Sequence, residues 1–136
     1  MLTTKLMHPG IIGALGSMGH GSMVLIADGN YPFATTPTRR RRVYLNLRRG
    51  LVSATDALEA VVSAIPVEAV HVMQPADGST PDIFAEFSAL LVGQELQRVE
   101  RFAFYDLGRR TEVGLVIATG EARIYANIML TIGVVK

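Results

Sequence analysis

Two side chains near the start of this chain have the types and spacing for proton chemistry on a polar ligand. His20 sits between Gly19 and Gly21, and Asp28 follows eight residues later. The stretch between them, Met23-Val24-Leu25-Ile26-Ala27, is a continuous apolar run of the kind buried in parallel sheets. Such a strand delivers Asp28 to its carboxyl end, followed by Gly29-Asn30-Tyr31-Pro32. In open α/β sheets ligands bind outside the carboxyl ends of strands. Histidine is the side chain that exchanges protons most readily near neutral pH. Position alone leaves a second reading of His20, a surface loop residue.

The other candidates have plainer readings. His71 lies within an apolar strand pattern and reads as a hydrogen-bonded structural residue. His8 precedes Pro9 and reads as a helix cap or a solvent-facing side chain. Gly10, Gly13, Gly16 and Gly19 repeat every third residue. A dinucleotide-binding loop needs a strand before its glycines, and Met1 to His8 is a poor one, so close helix packing explains them better. Arg39 to Arg42, with Arg48 and Arg49, could bind phosphate or RNA. Tyr44 is the one aromatic interleaved with them, which favours a solvated loop or a subunit contact.

These residues need a scaffold, and 136 residues with 49% hydrophobic content fit a single domain, 1–136. The balance of 13 Lys and Arg against 12 Asp and Glu argues for neither a nucleic-acid nor a membrane partner, so function must come from local sites. The lack of cysteine excludes disulfides, thiolate nucleophiles and sulfur-based zinc sites. No stretch has the features of a signal peptide or reaches the roughly 18 apolar residues of a membrane span. The expectation is a soluble, cytoplasmic protein.

Pattern and capping signals predict an alternating order. A helix runs from Pro9 to about Met18, a strand over Met23–Ala27, a loop over 29–41 and a strand over Val43–Leu47. Ser53 and Asp56 form a capping box for a helix to about Ile65, where Pro66 ends it. A strand over Val67–Met73, a loop over Gln74–Thr80 and a helix from Pro81-Asp82 to about Leu91 follow. Leu96–Val99 reads as a short strand and Phe102–Leu107 as a helical turn. Val113–Ala118 and Arg123–Met129 read as strands joined tightly through Thr119-Gly120-Glu121 as antiparallel neighbours. The fold class is α/β, a three-layer domain with a mixed, partly parallel sheet.

The motifs Met18-Gly19-His20-Gly21, Ala27-Asp28, Thr119-Gly120-Glu121, Tyr125-Ala126-Asn127 and Gly133-Val134 together resemble the D-ribose pyranase / L-fucose mutarotase family, across nearly the whole chain. The resemblance implies a small α/β protein that interconverts cyclic forms of free monosaccharides without cofactor or metal. It also implies a ring-forming homo-oligomer, a pentamer or decamer, with sites between subunits. It casts His20 as the acid/base residue and Asp28, Arg101, Tyr125, Ala126 and Asn127 as sugar-binding positions. Arg101-Phe102-Ala103-Phe104-Tyr105 resembles the fucose branch, since the ribose branch typically has histidine in place of Arg101. Read singly, Arg101 is also an ion-pair partner, Tyr125 a core aromatic and Asn127 a turn residue.

The residue types suit the implied chemistry. Mutarotation takes a proton from the anomeric hydroxyl and gives one to the ring oxygen; free histidine, titrating near pH 6.5, exchanges protons in both directions. Asp28 accepts bonds from sugar hydroxyls, while Arg101 and Asn127 donate and Tyr125 offers a ring face and a hydroxyl. An extended strand rising about 3.3 Å per residue puts His20 and Asp28 on the order of 20 Å apart. Unless the glycines around His20 turn the chain back, a neighbouring subunit must complete the site. The competing reading is a non-catalytic sugar-binding or transport-accessory protein on the same scaffold.

Overall fold

The computed structural model describes residues 1–35 and 41–136. Arg39 and Arg40 of the arginine run lie outside the described residues. Its elements, in chain order, are α1 (Pro9–Gly16), β1 (Met23–Ala27), β2 (Arg41–Tyr44), α2 (Ala54–Val62), β3 (Val67–Gln74), α3 (Ile83–Leu90), β4 (Leu96–Glu100), α4 (Arg101–Gly108), β5 (Val113–Ala118) and β6 (Ile128–Ile132).

The six strands form one mixed sheet in the order β2-β5-β1-β6-β3-β4. β1 and β2 run parallel to β5, and β3 is parallel to β4, whereas β6 is antiparallel to both β1 and β3. The apolar run Met23–Ala27 is buried throughout because both faces of the sheet are covered. Val24 and Ile26 pack with Ile11 of α1, Leu58 and Val61 of α2, and Phe84 and Phe87 of α3. Met23, Leu25 and Ala27 pack with Phe104 of α4 on the other face. These two cores make the three layers, and each fully buried Leu, Ile or Phe contributes roughly 1.5–3 kcal/mol.

Caps explain where the helices start. The His8 ring accepts from the N–H groups of Gly10 and Ile11 at 3.1 and 3.2 Å, as one of its two sequence readings allowed. Ser53 and Asp56 form the reciprocal capping box of α2. Both α1 and α2 end a few residues before their predicted ends, at Gly16 and Val62. Within α1 the regular glycines split: Gly10 and Gly13 face β2, whereas Gly16 is open to solvent, as is Gly19 beyond the helix. His71 bonds the side chain of Gln97, its register partner on β4, while its buried Nδ1 has no partner among the described residues.

Three expectations fail here. β2 begins at Arg41 and ends at Tyr44, so Arg41 and Arg42 belong to a strand. The last strand is Ile128–Ile132, with Arg123–Asn127 outside the sheet. β5 and β6 are also not neighbours, because β1 lies between them. The physical reason is burial: Ile128, Met129, Leu130 and Ile132 are all enclosed, which requires a central position with neighbours on both edges.

Candidate functional site

The carboxyl end of β1 is built around Asp28, of which only 2% is exposed. Its Oδ1 accepts from the Asn30 N–H at 2.9 Å, and its Oδ2 accepts from the Ala126 N–H at 3.2 Å and Asn127 Nδ2 at 3.1 Å. Asn127 closes the loop, its Oδ1 accepting from the Asp28 N–H at 2.8 Å. Burial pushes the Asp28 carboxyl above the ordinary range, against the bonds from Asn30, Ala126 and Asn127, and the charge of Glu121 adds to the rise.

A second network holds the loop that supplies Ala126 and Asn127. The Thr119 hydroxyl donates to the Ala27 carbonyl at 2.7 Å, and the Glu121 N–H donates to Thr119 Oγ1 at 3.3 Å. The buried carboxylate of Glu121 accepts from the Ala54 N–H at the start of α2 and from Arg123 through Nε and Nη2, each near 3 Å. Arg123 also pairs with Glu86 of α3. Burial alone would raise the Glu121 carboxyl, but the Arg123 and Ala54 bonds override it and hold it down to about 2. A Cβ at Gly120 would collide with the carbonyl oxygens of Leu51 and Arg48, so only glycine lets that turn seat here.

This framework presents Tyr125 with a φ of +60°, a left-handed conformation that costs a bulky residue on the order of 1–2 kcal/mol. Non-glycine residues held this way cluster at ligand sites. Arg101 arrives from the other side of the cleft as the first residue of α4. The preceding Glu100 caps that helix, its Oε2 accepting from the N–H groups of Phe102 and Ala103 at 2.9 and 3.1 Å. The Arg101 guanidinium lies 4.6 Å from the Phe102 ring centroid.

Asp28, Arg101, Tyr125 and Asn127 meet on a cleft of about 220 Å³, with Asn30, Tyr31, Met73, Tyr105 and Ile124 completing its walls. Sites for drug-sized ligands run to roughly 300–1,000 Å³, so this one is scaled to a smaller molecule. Tyr31 and Tyr105 stack edge to face at 5.5 Å, giving one wall an aromatic surface. Ala126 is fully buried and takes part through its N–H to Asp28 alone. A larger cavity of about 570 Å³, bordered by Arg48 and Arg49, adjoins the cleft through Asn30 and Ile124.

His20 is not in the cleft. It stands before the amino end of β1, with Gly21, Ser22 and the five residues of that strand between it and Asp28. Its Nε2 lies 3.0 Å from Oε2 of Glu68, and both side chains are exposed. The structure therefore gathers four of the six expected positions on one cleft, assigns Ala126 to its framework and sets His20 at the opposite end of β1.

Sequence reasoning missed several of these residues. Tyr105 follows Arg101 by one helical turn, a spacing that puts both on one face and could have revealed it. Tyr31 falls in the segment after Asp28 that the sequence placed at a ligand site, whereas Met73 and Ile124 carry no such signal, because their roles depend on how the sheet is assembled. Among the described residues there is no group of three or more His, Asp or Glu side chains placed to hold a metal, and no helix long and apolar enough to cross a membrane.

Comparison with known proteins adds a family to this geometry. The profile of the RbsD / FucU transport protein family matches residues 1–135. A D-ribose pyranase of Variovorax paradoxus (strain S110) is 33% identical over 135 residues, covering 98% of each chain. A fucose mutarotase of Mus musculus is 31% identical over 143 residues, covering 95% of this chain and 90% of its own. The structure of Bacillus subtilis RbsD complexed with D-ribose superimposes with a TM-score of 0.87 over the full length of both chains, at 25% identity.

Proposed function

The chain belongs to the RbsD / FucU transport protein family, and from that membership we propose that it is a monosaccharide mutarotase acting on a free sugar, with L-fucose the favoured substrate. The observation that carries the reading is the cleft itself: a buried, framework-held carboxylate at Asp28 facing an arginine and a ring of tyrosines. Asp28 accepts from sugar hydroxyls, Arg101 donates to hydroxyl or ring oxygens, and the tyrosines offer apolar faces and hydroxyls. Asn127, with its oxygen committed to the Asp28 N–H, acts mainly by orienting that carboxylate.

Reaction begins when the anomeric hydroxyl gives its proton to His20. The bond from the anomeric carbon to the ring oxygen breaks as that oxygen takes a proton from a tyrosine hydroxyl or water. Rotation of the aldehyde and reclosure then return both protons, so nothing is consumed. With His20 about 16 Å or more from Asp28 along β1, the proton-transfer group comes from a neighbouring subunit of a pentameric or decameric ring. The chemistry asks for no cofactor or metal.

L-fucose is favoured because Arg101 opens the segment that resembles the fucose branch, and because Met73 and Ile124 give the cleft an apolar wall for a 6-methyl group. D-ribose is the second reading, favoured by the 33% identity to a D-ribose pyranase. Saturation-transfer NMR on L-fucose, D-ribose and other free aldoses tests both. Anomer exchange faster than in buffer is expected, fastest for L-fucose. Binding without acceleration of any sugar would replace the enzyme by a sugar-binding module. Mixed rings of His20→Ala and Arg101→Ala subunits should exceed the summed activity of the two variants; failure to do so would overturn the shared site.

A further inference from the structure

We infer that the larger cavity beside the cleft is an anion site that extends it, in which Arg48 and Arg49 take a phosphate or carboxylate carried by the sugar held at Asp28. The inference rests on the mutarotase reading above for the sugar in the cleft, and on the charge and shape of the cavity for the anion.

The two arginines owe their place to a tight turn beyond β2. The Arg48 N–H donates to the Leu51 carbonyl at 3.3 Å, and the Leu51 N–H donates back to the Arg48 carbonyl at 2.9 Å. Inside the turn Gly50 takes a φ of +83°, which glycine adopts without steric cost. The turn is then fastened to the loop that frames the cleft. The Gly50 N–H donates to the Gly120 carbonyl at 2.6 Å, and the Gly120 N–H donates to the Val52 carbonyl at 2.9 Å. Arg48 Nη1 also donates to the Arg49 carbonyl at 3.2 Å. Two adjacent cations are thus held by the same Thr119–Glu121 segment that supports Ala126 and Asn127.

No acid in the cavity neutralises them. Among the described residues neither Arg48 nor Arg49 forms an ion pair. The one carboxylate on the cavity wall among those residues is Glu121, which is buried and already paired with Arg123. The side chains of Asn30 and Asn46 add amide donors to the same lining. A guanidinium meets a phosphate or carboxylate through two parallel N–H bonds, and such charged bonds are roughly twice as strong as neutral ones. The cavity, at about 570 Å³, is more than twice the 220 Å³ of the cleft, and the two share Asn30 and Ile124 as walls. A sugar seated in the smaller space therefore has room to send a charged substituent into the larger one without leaving Asp28. Arginines on an ordinary solvated turn would have neither the concave wall nor the adjoining polar cleft.

The test uses the full chain and three sugars that differ only at C6: D-galactose, D-galacturonate and D-galactose 6-phosphate. Inorganic phosphate serves as a probe of the cavity alone. Ligand-detected NMR and calorimetry should show one or both anionic sugars binding about tenfold or more tighter than D-galactose, and which of them leads distinguishes carboxylate from phosphate. The preference should shrink between about 0.1 M and 1 M salt, as the screening length falls from about 10 to 3 Å. In the double variant Arg48→Gln/Arg49→Gln, with folding checked by circular dichroism, the ratio of anionic to neutral affinity should fall to near one. Anionic sugars that bind no tighter than D-galactose, or a preference that survives in the double variant, would overturn the inference. Phosphate binding without any preference among the sugars would overturn it too, as an adventitious ion only. Should wild type speed anomer exchange of no sugar, the mutarotase reading fails by itself, and the binding ratios still decide the anion site.

Discussion

The two ends of β1 are built on opposite principles. At the carboxyl end Asp28 is buried, three donors saturate it, and a second carboxylate, Glu121, locks the loop that supplies two of them. At the amino end His20 stands in solvent with one partner, Glu68, and a turn held by backbone bonds. The first end is a finished half-site whose parts the fold itself requires. The second is a presented side chain, ordered enough to meet a ligand but contributing little to the subunit that carries it. Under the function proposed above, a chain that splits binding and proton transfer this way has its chemistry completed by assembly.

The comparison breaks most directly at Asp28. Asp28→Ala leaves the N–H groups of Asn30 and Ala126 and the Asn127 amide without their acceptor at a buried position, at a cost of roughly 3 kcal/mol. Sugar binding should be lost as well. Urea unfolding followed by circular dichroism measures the first, and ligand-detected NMR the second. A variant as stable as wild type would mean that the carboxyl end is no more integral than the amino end.

Acid titration sharpens the same contrast from within the finished half. Glu121 is held at about 2 in the folded chain against 4.5 unfolded, so its stabilisation is complete above pH 4.5 and lost as pH falls toward 2. The shift corresponds to at most about 3 kcal/mol. Asp28 has the opposite sign: its raised value favours the folded state at low pH and withdraws that contribution as pH rises through the folded pKa. Unfolding midpoints between pH 5 and 2.5 should therefore fall for wild type and fall less for Glu121→Gln. Parallel curves would remove Glu121 from the framework.

How much of this was legible follows from where each signal is stored. β1, β5 and the capping box of α2 are local, written in apolar runs and in Ser53 with Asp56, and the structure reproduces them. The last strand was not, because Ile124, Ala126 and Ile128 alternate with polar residues just as a strand would. What keeps 123–127 out of the sheet is long-range: Arg123 tied to Glu121 and Glu86, Ala126 and Asn127 tied to Asp28. The hairpin failed for the same reason, since alternation gives a strand's faces but not its neighbours. At the site, motif positions named Asp28, Arg101, Tyr125 and Asn127, and strand length alone separated His20 from them. Glu68 stayed hidden because only the insertion of β6 between β1 and β3 brings it to His20.

The smallest expected effect on folding belongs to His20, and it is the one that separates the two designs. His20→Ala removes an exposed ring and one exposed pair with Glu68, so its unfolding free energy should stay within about 0.5 kcal/mol of wild type. Sugar binding should also persist, because every group on the cleft remains in place. Anomer exchange should nevertheless vanish. A loss of stability above about 1 kcal/mol would make His20 structural, and retained exchange would pass its role to another group. A stable, sugar-binding, inactive variant is what a chain must give if one end of its strand holds the ligand and the other end serves a neighbour.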